Sequence, residues 1–264
     1  MVPVSIVIIT KNEADIVAGC IEQAMQITDD IVLIVNNTAD EAEQNRPSAL
    51  RIYKEVWEGY GSNKNKGIEK AKYNWVLSID ADEIPDSELI RSLNRLDFND
   101  PAVVYDIKFR SYFGDKLIRY GSWGRDHHIR LFNRNLVKWS ETPVHETLVL
   151  PGFIRVKKIS GYLHHYSVKD IAEYAGKSSY YAKLSAKKYF AMGIKAGIIK
   201  LYLSPVFGFI KNYILYLGFL DGREGWDIAK TNSRHTRRKY YYLSLMENSQ
   251  TKKQPVSENL AVEY

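Results

Sequence analysis

The stretch WVLSIDADE, at residues 75–83, decides the fold, because an apolar run ends there in a cluster of carboxylates. Two earlier runs, SIVII at residues 5–9 and IVLIV at residues 31–35, are equally apolar and rich in β-branched side chains. Such continuous runs are typical of strands buried on both faces, as in a parallel sheet. Residues 13–26, between the first two runs, have the spacing of an amphipathic helix. The sequence therefore predicts an α/β fold that begins with a β-α-β unit.

Polar residues follow each of the three apolar runs. They lie at residues 10–13, 36–40 and 80–83. In an open α/β sheet, ligands bind beyond the carboxyl ends of the strands. We therefore expect these three polar segments to converge on one site.

The pattern changes twice further along the chain. Residues 101–165 contain short strand-like pieces at 103–109, 128–132 and 153–159, which indicates that the same domain continues as a mixed sheet. From residue 166 the pattern becomes helical, with aromatic and basic residues intermixed. The predicted organisation is an α/β domain at 1–165, with halves at 1–100 and 101–165, a helical extension at 166–247, and a disordered polar tail at 248–264.

Composition narrows the class of protein. The 264 residues are 45% hydrophobic and 26% charged, which is typical of a globular chain and excludes collagen-like and low-complexity classes. The net charge of +6 is compatible with phosphate-bearing partners or an anionic membrane surface and identifies neither. The single cysteine, Cys20, excludes an internal disulfide framework and a cysteine-rich zinc site. With no secretory signal pattern at the start, a reducing, cytoplasmic location is expected.

The longest apolar region covers residues 196–220. Lys200, Pro205 and Lys211 interrupt it, so it contains no continuous apolar span of the length that crosses a bilayer. It is nevertheless too apolar for an exposed surface, and a basic, aromatic stretch follows at 223–242. Two interpretations stay open, namely a helix pair lying in an anionic membrane interface, or a helical layer packed on the α/β domain or a partner subunit.

The acidic cluster is the sharpest chemical feature. Asp80, Asp82 and Glu83 repel one another unless a cation or hydrogen-bond donors compensate them. Carboxylate oxygens are hard ligands that suit Mg²⁺ or Mn²⁺. The alternative is a solvated acidic turn. The position of the acidic cluster directly after a buried strand strengthens the case for a metal site, and both interpretations stay open.

A second feature is the segment GYGSNKNKG at residues 59–67, which precedes and begins a predicted helix at 62–71. Glycines allow close backbone approach, and Lys64 and Asn65 lie near the positive end of the helix, where an anion is favoured. This indicates a nucleotide or phosphate contact, with solvated lysines as the alternative. The segment does not have the spacing of a P-loop.

Histidine and glutamate supply the remaining candidates. His145 and Glu146, in the polar segment 139–146, are both eligible as a general base. The pair His164 and His165 offers a metal ligand. For each of them the alternative is a structural role in a polar loop or at a strand end.

Together, these segments resemble the family-two glycosyltransferases with the GT-A fold, and more closely the branch that contains lipopolysaccharide core glucosyltransferase-like enzymes. The order and spacing of the motifs carry the resemblance, which covers roughly residues 4–247. The motifs are SIVIITKNE at 5–13, GYG at 59–61, KN at 64–65, WVLSIDADE at 75–83, RLF at 130–132, VHE at 144–146, HY at 165–166 and GFLDG at 218–222.

The resemblance implies a GT-A mixed sheet at 1–165 as the catalytic domain, with a C-terminal helical extension, and it implies a role for each site residue. Asn36 begins the run NNTAD, at a position where many relatives carry an Asp. Because of this difference, the resemblance does not indicate which nucleotide base the sugar donor carries. His165 is preferred to His164 because the sequence continues as His-Tyr-Ser. The implied roles are Thr10, Glu13 and Asn36 against the nucleotide, Lys64 and Asn65 near its base or ribose, Asp80 at ribose and metal, Asp82 and His165 at the metal, and Glu146 as base with His145 beside it.

The activity implied is a metal-dependent, inverting transfer of a sugar from a nucleotide-diphosphate donor. A UDP-sugar is the expected donor, Mg²⁺ or Mn²⁺ the expected metal, and a hydroxyl of a glycan or lipid-linked glycan the expected acceptor. The implied setting is lipopolysaccharide or other envelope polysaccharide synthesis, in the cytoplasm or at the cytoplasmic face of the inner membrane.

Two alternatives to this activity stay open. A sugar nucleotidyltransferase usually has glycines after its first strand, and residues 9–13 contain none. A non-catalytic, membrane-associated glycan-binding scaffold would not require the intact set Asp80, Asp82 and Glu146. Nucleic-acid binding is not expected, because the basic residues are spread widely and form no recognised motif.

Overall fold

The computed structural model describes residues 1–10, 14–36, 47–141 and 146–251. The chain divides into two compact units, Met1–Lys169 and Asp170–Tyr264. The first unit ends four residues beyond the predicted boundary at 165, because its last strand continues to Val168 and pairs there with Phe113.

The first half of the first unit is a parallel sheet flanked by helices, as predicted. The strands lie side by side in the order β3-β2-β1-β4, and all their pairings are parallel. The elements are β1 (Val4–Thr10), α1 (Ala14–Ala24), β2 (Ile31–Asn36), β3 (Leu50–Glu55), α2 (Tyr60–Glu69) and β4 (Trp75–Asp80).

The second half extends the same sheet with strands of both directions. From β4 the order continues β8-β6-β11-β5, with β8 antiparallel to both of its neighbours and β6 parallel to β11. The predicted mixed α/β sheet is therefore confirmed. The elements are β5 (Glu83–Pro85), α3 (Ser87–Leu93), β6 (Val103–Phe113), β7 (Lys116–Leu117), β8 (His127–Asn133), β9 (Lys138–Trp139), β10 (Leu148–Val149) and β11 (Arg155–Val168).

The strand β11 is longer than its sequence pattern indicates. The predicted strand ends at Ile159, whereas the register of β11 shifts between Lys158 and Tyr162 and the strand then continues. Gly161 makes this possible, because its φ is +99° and a Cβ there would lie 2.2 Å from the Leu89 backbone nitrogen. The bulge lets α3 approach closely and carries the strand on to His165.

The apolar runs are buried on both faces because helices cover the sheet on each side. Along β1, Ile6 and Ile8 belong to one buried cluster, and Val7 and Ile9 belong to the other. Ile68 of α2 lies in the second cluster. All seven residues of β1 are buried. This packing fixes the position of Thr10, the last residue of β1, at the edge of the sheet.

The second unit is helical, as predicted. Its long helices pack on each other through the buried Ala182 and Ala186, and Tyr174 donates a hydrogen bond to Asn232 Oδ1 at 2.6 Å. The last helix continues to Thr251 and so includes the first four residues of the predicted tail. The rest of that tail lies outside the described residues. The elements are α4 (Ile171–Ala191), two π-helical segments (Ile199–Leu203 and Lys211–Leu215) on either side of α5 (Ser204–Ile210), a 3-10 turn (Gly218–Asp221) and α6 (Gly222–Thr251).

Candidate functional site

Three polar residues end neighbouring strands at one edge of the sheet. The register pairs Ile9 with Asp80 and Thr10 with Val35, so Thr10, Asn36 and Asp80 close parallel strands at the same level. This is the edge at which α/β sheets bind ligands. The candidate Glu13 and the run 37–40 lie outside the described residues.

Lys64 links this edge to the candidate base. The Lys64 side chain projects from α2 and is only 1% exposed. Its Nζ atom lies 3.1 Å from Asp80 Oδ1 and 3.0 Å from Glu146 Oε1, and 4.5 Å from the centre of the Trp139 ring. A buried ammonium requires such compensation. Lys64 therefore bridges two predicted site carboxylates, of which Glu146 lies 82 residues further along the chain than Lys64.

Arg130 is a site residue to which the sequence analysis assigned no role. It lies on β8, is 7% exposed, and its guanidinium pairs with Glu83 and lies 3.5 Å from Asp80 Oδ2. A charged residue between the apolar Ile129 and Leu131 of a strand is the signal that could have identified it. Side-chain cations therefore supply part of the charge compensation that the sequence analysis attributed to a metal.

Burial and these two cations act on the carboxylates in opposite directions. Burial alone would raise the pKa of Asp80, but the charges of Lys64 and Arg130 outweigh it, and the pKa lies below its ordinary value. Burial also raises the pKa of Glu83, and there the charge of Arg130 offsets the effect only partly. The charges of Lys64 and Arg130 thus favour the ionised form of Asp80 at the end of β4.

Asp82 and His165 form the second pair of candidates. Strand β11 places His165 opposite Glu83, and His165 Nε2 lies 3.4 Å from Asp82 Oδ2. Burial lowers the pKa of His165, but the interaction with Asp82 outweighs it and the pKa is raised. His164 Nδ1 instead forms a hydrogen bond with the Tyr112 hydroxyl at 2.9 Å, so the structure brings only His165 to Asp82.

The site offers few protein ligands for a metal ion. Within residues 1–10, 14–36, 47–141 and 146–251, no group of three or more His, Cys, Asp or Glu side chains is arranged to hold an ion. Asp82 and His165 provide two ligands, and the buried Asp80 Oδ1 accepts no hydrogen bond in that part of the chain, although Lys64 Nζ is nearby. Mg²⁺ is commonly bound by one or two carboxylates together with substrate phosphates and water. These residues fit a metal that binds together with a diphosphate.

Asn65 forms two hydrogen bonds with the backbone of Trp139. Its side-chain amide donates to the Trp139 carbonyl at 2.9 Å and accepts from the Trp139 backbone nitrogen at 3.0 Å. It thereby fastens α2 to β9, next to the loop that carries Glu146. The proposed contact of Asn65 with the nucleotide stays a prediction. The other base candidate, His145, lies outside the described residues.

Gly61 explains why the motif at 59–61 requires a glycine. A Cβ at this position would lie 2.0 Å from the Ser140 carbonyl oxygen and 3.3 Å from Glu146 Cβ. We expect Gly61→Ala to lower the free energy of unfolding in urea by about 1–3 kcal/mol, because the backbone of the Glu146 loop must move. Gly152→Ala is the matched control, since a Cβ there meets no atom within 4 Å. Equal stability of the two variants would contradict this close approach.

The chain is similar to known glycosyltransferases. Residues 5–150 match the glycosyl transferase family 2, over more than half of the chain. Uncharacterized glycosyltransferases of Rickettsia typhi and Rickettsia prowazekii are 27% and 26% identical over 238 residues, or 86% of this chain and 81% of each relative. The crystal structure of S. aureus TarS 1-349 in complex with UDP is 13% identical, with a TM-score of 0.47, over 95% of this chain and 92% of that one. The chain belongs to glycosyl transferase family 2.

Proposed function

We propose that this chain is a metal-dependent, inverting glycosyltransferase. It moves a sugar from a nucleotide diphosphate, with UDP as the first candidate, to a hydroxyl of a glycan or lipid-linked glycan. The observation that carries the proposal is the bridge formed by Lys64, which lies 3.1 Å from Asp80 and 3.0 Å from Glu146. A carboxylate able to accept a proton is thus joined to the sheet edge at which nucleotides bind.

The donor would bind along that edge. Thr10 and Asn36 end two parallel strands beside Asp80, and their side chains provide hydrogen-bonding groups for the nucleoside. Asp80 is oriented by Lys64 and Arg130, which fixes its carboxylate before the donor arrives. Such a preformed arrangement reduces the reorganisation needed on binding.

Asp82 and His165 would hold the divalent cation, with Asp80 beside them. When bound, Mg²⁺ or Mn²⁺ would neutralise the negative charge that develops on the departing diphosphate. The raised pKa of His165 reflects the same negative surroundings that favour a cation at this position. A single Asp82 substitution should therefore weaken metal-dependent donor binding.

Glu146 would act as the general base in a single displacement. Its carboxylate accepts the proton of the acceptor hydroxyl while that oxygen bonds to the anomeric carbon from the face opposite the diphosphate. The bond from the anomeric carbon to the diphosphate oxygen breaks, and its electron pair leaves with the diphosphate. Inversion follows, and no enzyme nucleophile is needed. The lone thiol, Cys20, is fully buried, which agrees with this mechanism.

The choice of acceptor rests on the resemblance to the lipopolysaccharide core branch, which the motifs between residues 5 and 222 carry together by their order and spacing. We place the reaction on the cytoplasmic side of the inner membrane, in the synthesis of lipopolysaccharide or another envelope polysaccharide.

Calorimetric titration with UDP-, GDP-, CDP- and TDP-sugars, each with and without Mn²⁺ or Mg²⁺, tests the donor and the metal. We expect one nucleotide to bind in a metal-dependent manner, and Asp82→Asn to weaken that binding at least about tenfold, in line with the loss of one charge-assisted ligand. Asp115→Asn, an exposed turn residue, should bind as the wild type does.

Two results would overturn the proposal. The first is a folded protein that binds none of the four nucleotide sugars. The second is donor binding that is identical with and without metal in the wild type and in Asp82→Asn, which would remove the metal from the proposal. The anomeric configuration of the product, determined by NMR, decides separately between inversion and retention.

A further inference from the structure

We propose that the second unit binds an anionic lipid surface through residues 198–220, the apolar segment. This names the surface at which the enzyme meets its acceptor. The link to a lipid-linked acceptor rests on the proposed function, whereas lipid binding itself does not require catalysis.

The apolar segment leaves its large side chains in solvent. Twelve large apolar or aromatic side chains between Ile198 and Leu220 are exposed, whereas the described part of Met1–Lys169 exposes only eight. The most exposed in the segment are Ile198, Ile199, Phe207, Leu203 and Leu215. Soluble proteins rarely leave so many neighbouring apolar side chains uncovered, and large patches of this kind mark interaction surfaces.

The apolar segment has one side packed against α6 and another side exposed to solvent. Pro205 is buried, and its carbonyl accepts a hydrogen bond from the Ser233 hydroxyl of α6 at 2.9 Å. Asn212 is buried as well. The segment is thus held to α6 by Pro205 and by the rings of Phe209 and Tyr213, which lie 5.2 and 5.3 Å from the Trp226 ring, while twelve of its large side chains stay exposed. A surface of this polarity fits a partner that is itself apolar.

The charges within and beside the apolar segment are all positive, which favours an anionic partner. Lys195, Lys200 and Lys211 lie within or next to it, and the sequence has no Asp or Glu from residue 195 to residue 220. A second copy of the chain would bring like charges together on this face. An anionic lipid surface instead offers hydrocarbon to the apolar groups and head-group charge to the lysines.

The helix lengths favour a position in the interface. In the described ranges, no single helix is long and apolar enough to cross a bilayer. The segment Ile199–Leu215 reaches the required apolar length only when joined to Gly218–Ser249, from which it is bent by 69°. That second helix carries Arg234, Arg237 and Arg238, which are suited to the head-group layer.

Sedimentation of the full chain with vesicles tests the proposal without nucleotide sugar. Wild type should bind vesicles of phosphatidylcholine and phosphatidylglycerol, and bind phosphatidylcholine alone more weakly. Phe207→Asp should lower the partition coefficient at least about tenfold, because a large apolar side chain is lost from the interface. Lys200→Gln should lower it about fivefold and reduce its salt dependence. Phe153→Asp is the matched control, since Phe153 is 61% exposed and Phe207 is 62% exposed.

A fluorescent label reports which residues enter the lipid. The variant Leu203→Cys can be labelled selectively, because Cys20 is buried and its burial and neighbouring carboxylates raise its pKa. An environment-sensitive dye at this position should shift to shorter wavelength when anionic vesicles are added. The same dye on Val149→Cys, at an exposed position of the first unit, should not shift.

Three outcomes would overturn the proposal. Wild type that binds neither kind of vesicle would exclude a lipid partner. Dimerisation that is lost in Phe207→Asp, without vesicle binding, would assign the surface to a second copy. Retention in membranes after alkaline carbonate extraction would indicate a spanning segment. None of these depends on nucleotide binding, so a failure here is distinguishable from a failure of the proposed function.

Discussion

The variant Glu146→Gln should lower kcat by about 10²–10⁴-fold while leaving nucleotide-sugar affinity nearly unchanged. The amide has almost the shape of the carboxylate, and its oxygen can still accept from Lys64 Nζ, which lies 3.0 Å from Glu146 Oε1. The amide cannot take a proton from the acceptor hydroxyl. The loss should therefore appear in the chemical step and spare the binding of the donor.

Steady-state kinetics with calorimetry separates this role from a merely structural one. A structural role would raise KM and weaken donor binding, whereas loss of the base lowers kcat at unchanged donor affinity. Glu141→Gln is the matched control, because Glu141 is an exposed glutamate five residues before Glu146 in the sequence. If Glu146→Gln kept wild-type kcat, Glu146 would not be the base.

The strands and the sheet edge could be predicted because their signals are local. Continuous β-branched runs such as residues 5–9 need only their own sequence to indicate a buried strand. The polar ends at Thr10, Asn36 and Asp80 then follow from the parallel arrangement. This is why the mixed α/β sheet and the position of the acidic cluster agree with the expectations from sequence.

The charge pairs inside the site could not be predicted, because they depend on contacts between distant segments. Lys64 and Glu146 are 82 residues apart, and Arg130 and Glu83 are 47 residues apart. In the sequence the carboxylates have the pattern of metal ligands, since no local pattern shows which side-chain cation approaches them. The length of β11 was missed for a related reason, because the bulge at Gly161 is required by α3 packing against it.

The orientation of the apolar segment, residues 198–220, could not be predicted from the sequence either. Its composition alone left a membrane interface and a covered helical layer equally open. Only the structure shows which of its residues face α6 and which face solvent. The direction of the side chains, set by packing against α6, carries the lipid proposal.

Arg130→Met should lower the free energy of unfolding by about 3–5 kcal/mol, the largest effect on stability that we expect from one substitution. The guanidinium is the cation paired with Glu83, which is 1% exposed, and it also lies 3.5 Å from Asp80. Removing it leaves buried carboxylate charge without its partner. Desolvation of such a charge costs more than the ion pair itself contributes.

Urea unfolding of a double variant identifies the cause. If uncompensated charge is responsible, Arg130→Met combined with Glu83→Gln should be more stable than Arg130→Met alone, because the amide needs no counter-ion. Arg155→Met, which removes the exposed partner of Asp100, should change stability by no more than about 0.5 kcal/mol. If Glu83→Gln brought no recovery, the stabilisation by Arg130 would instead come from its contacts with the rings of Phe109 and Trp139, which lie 5.3 and 5.8 Å from the guanidinium carbon.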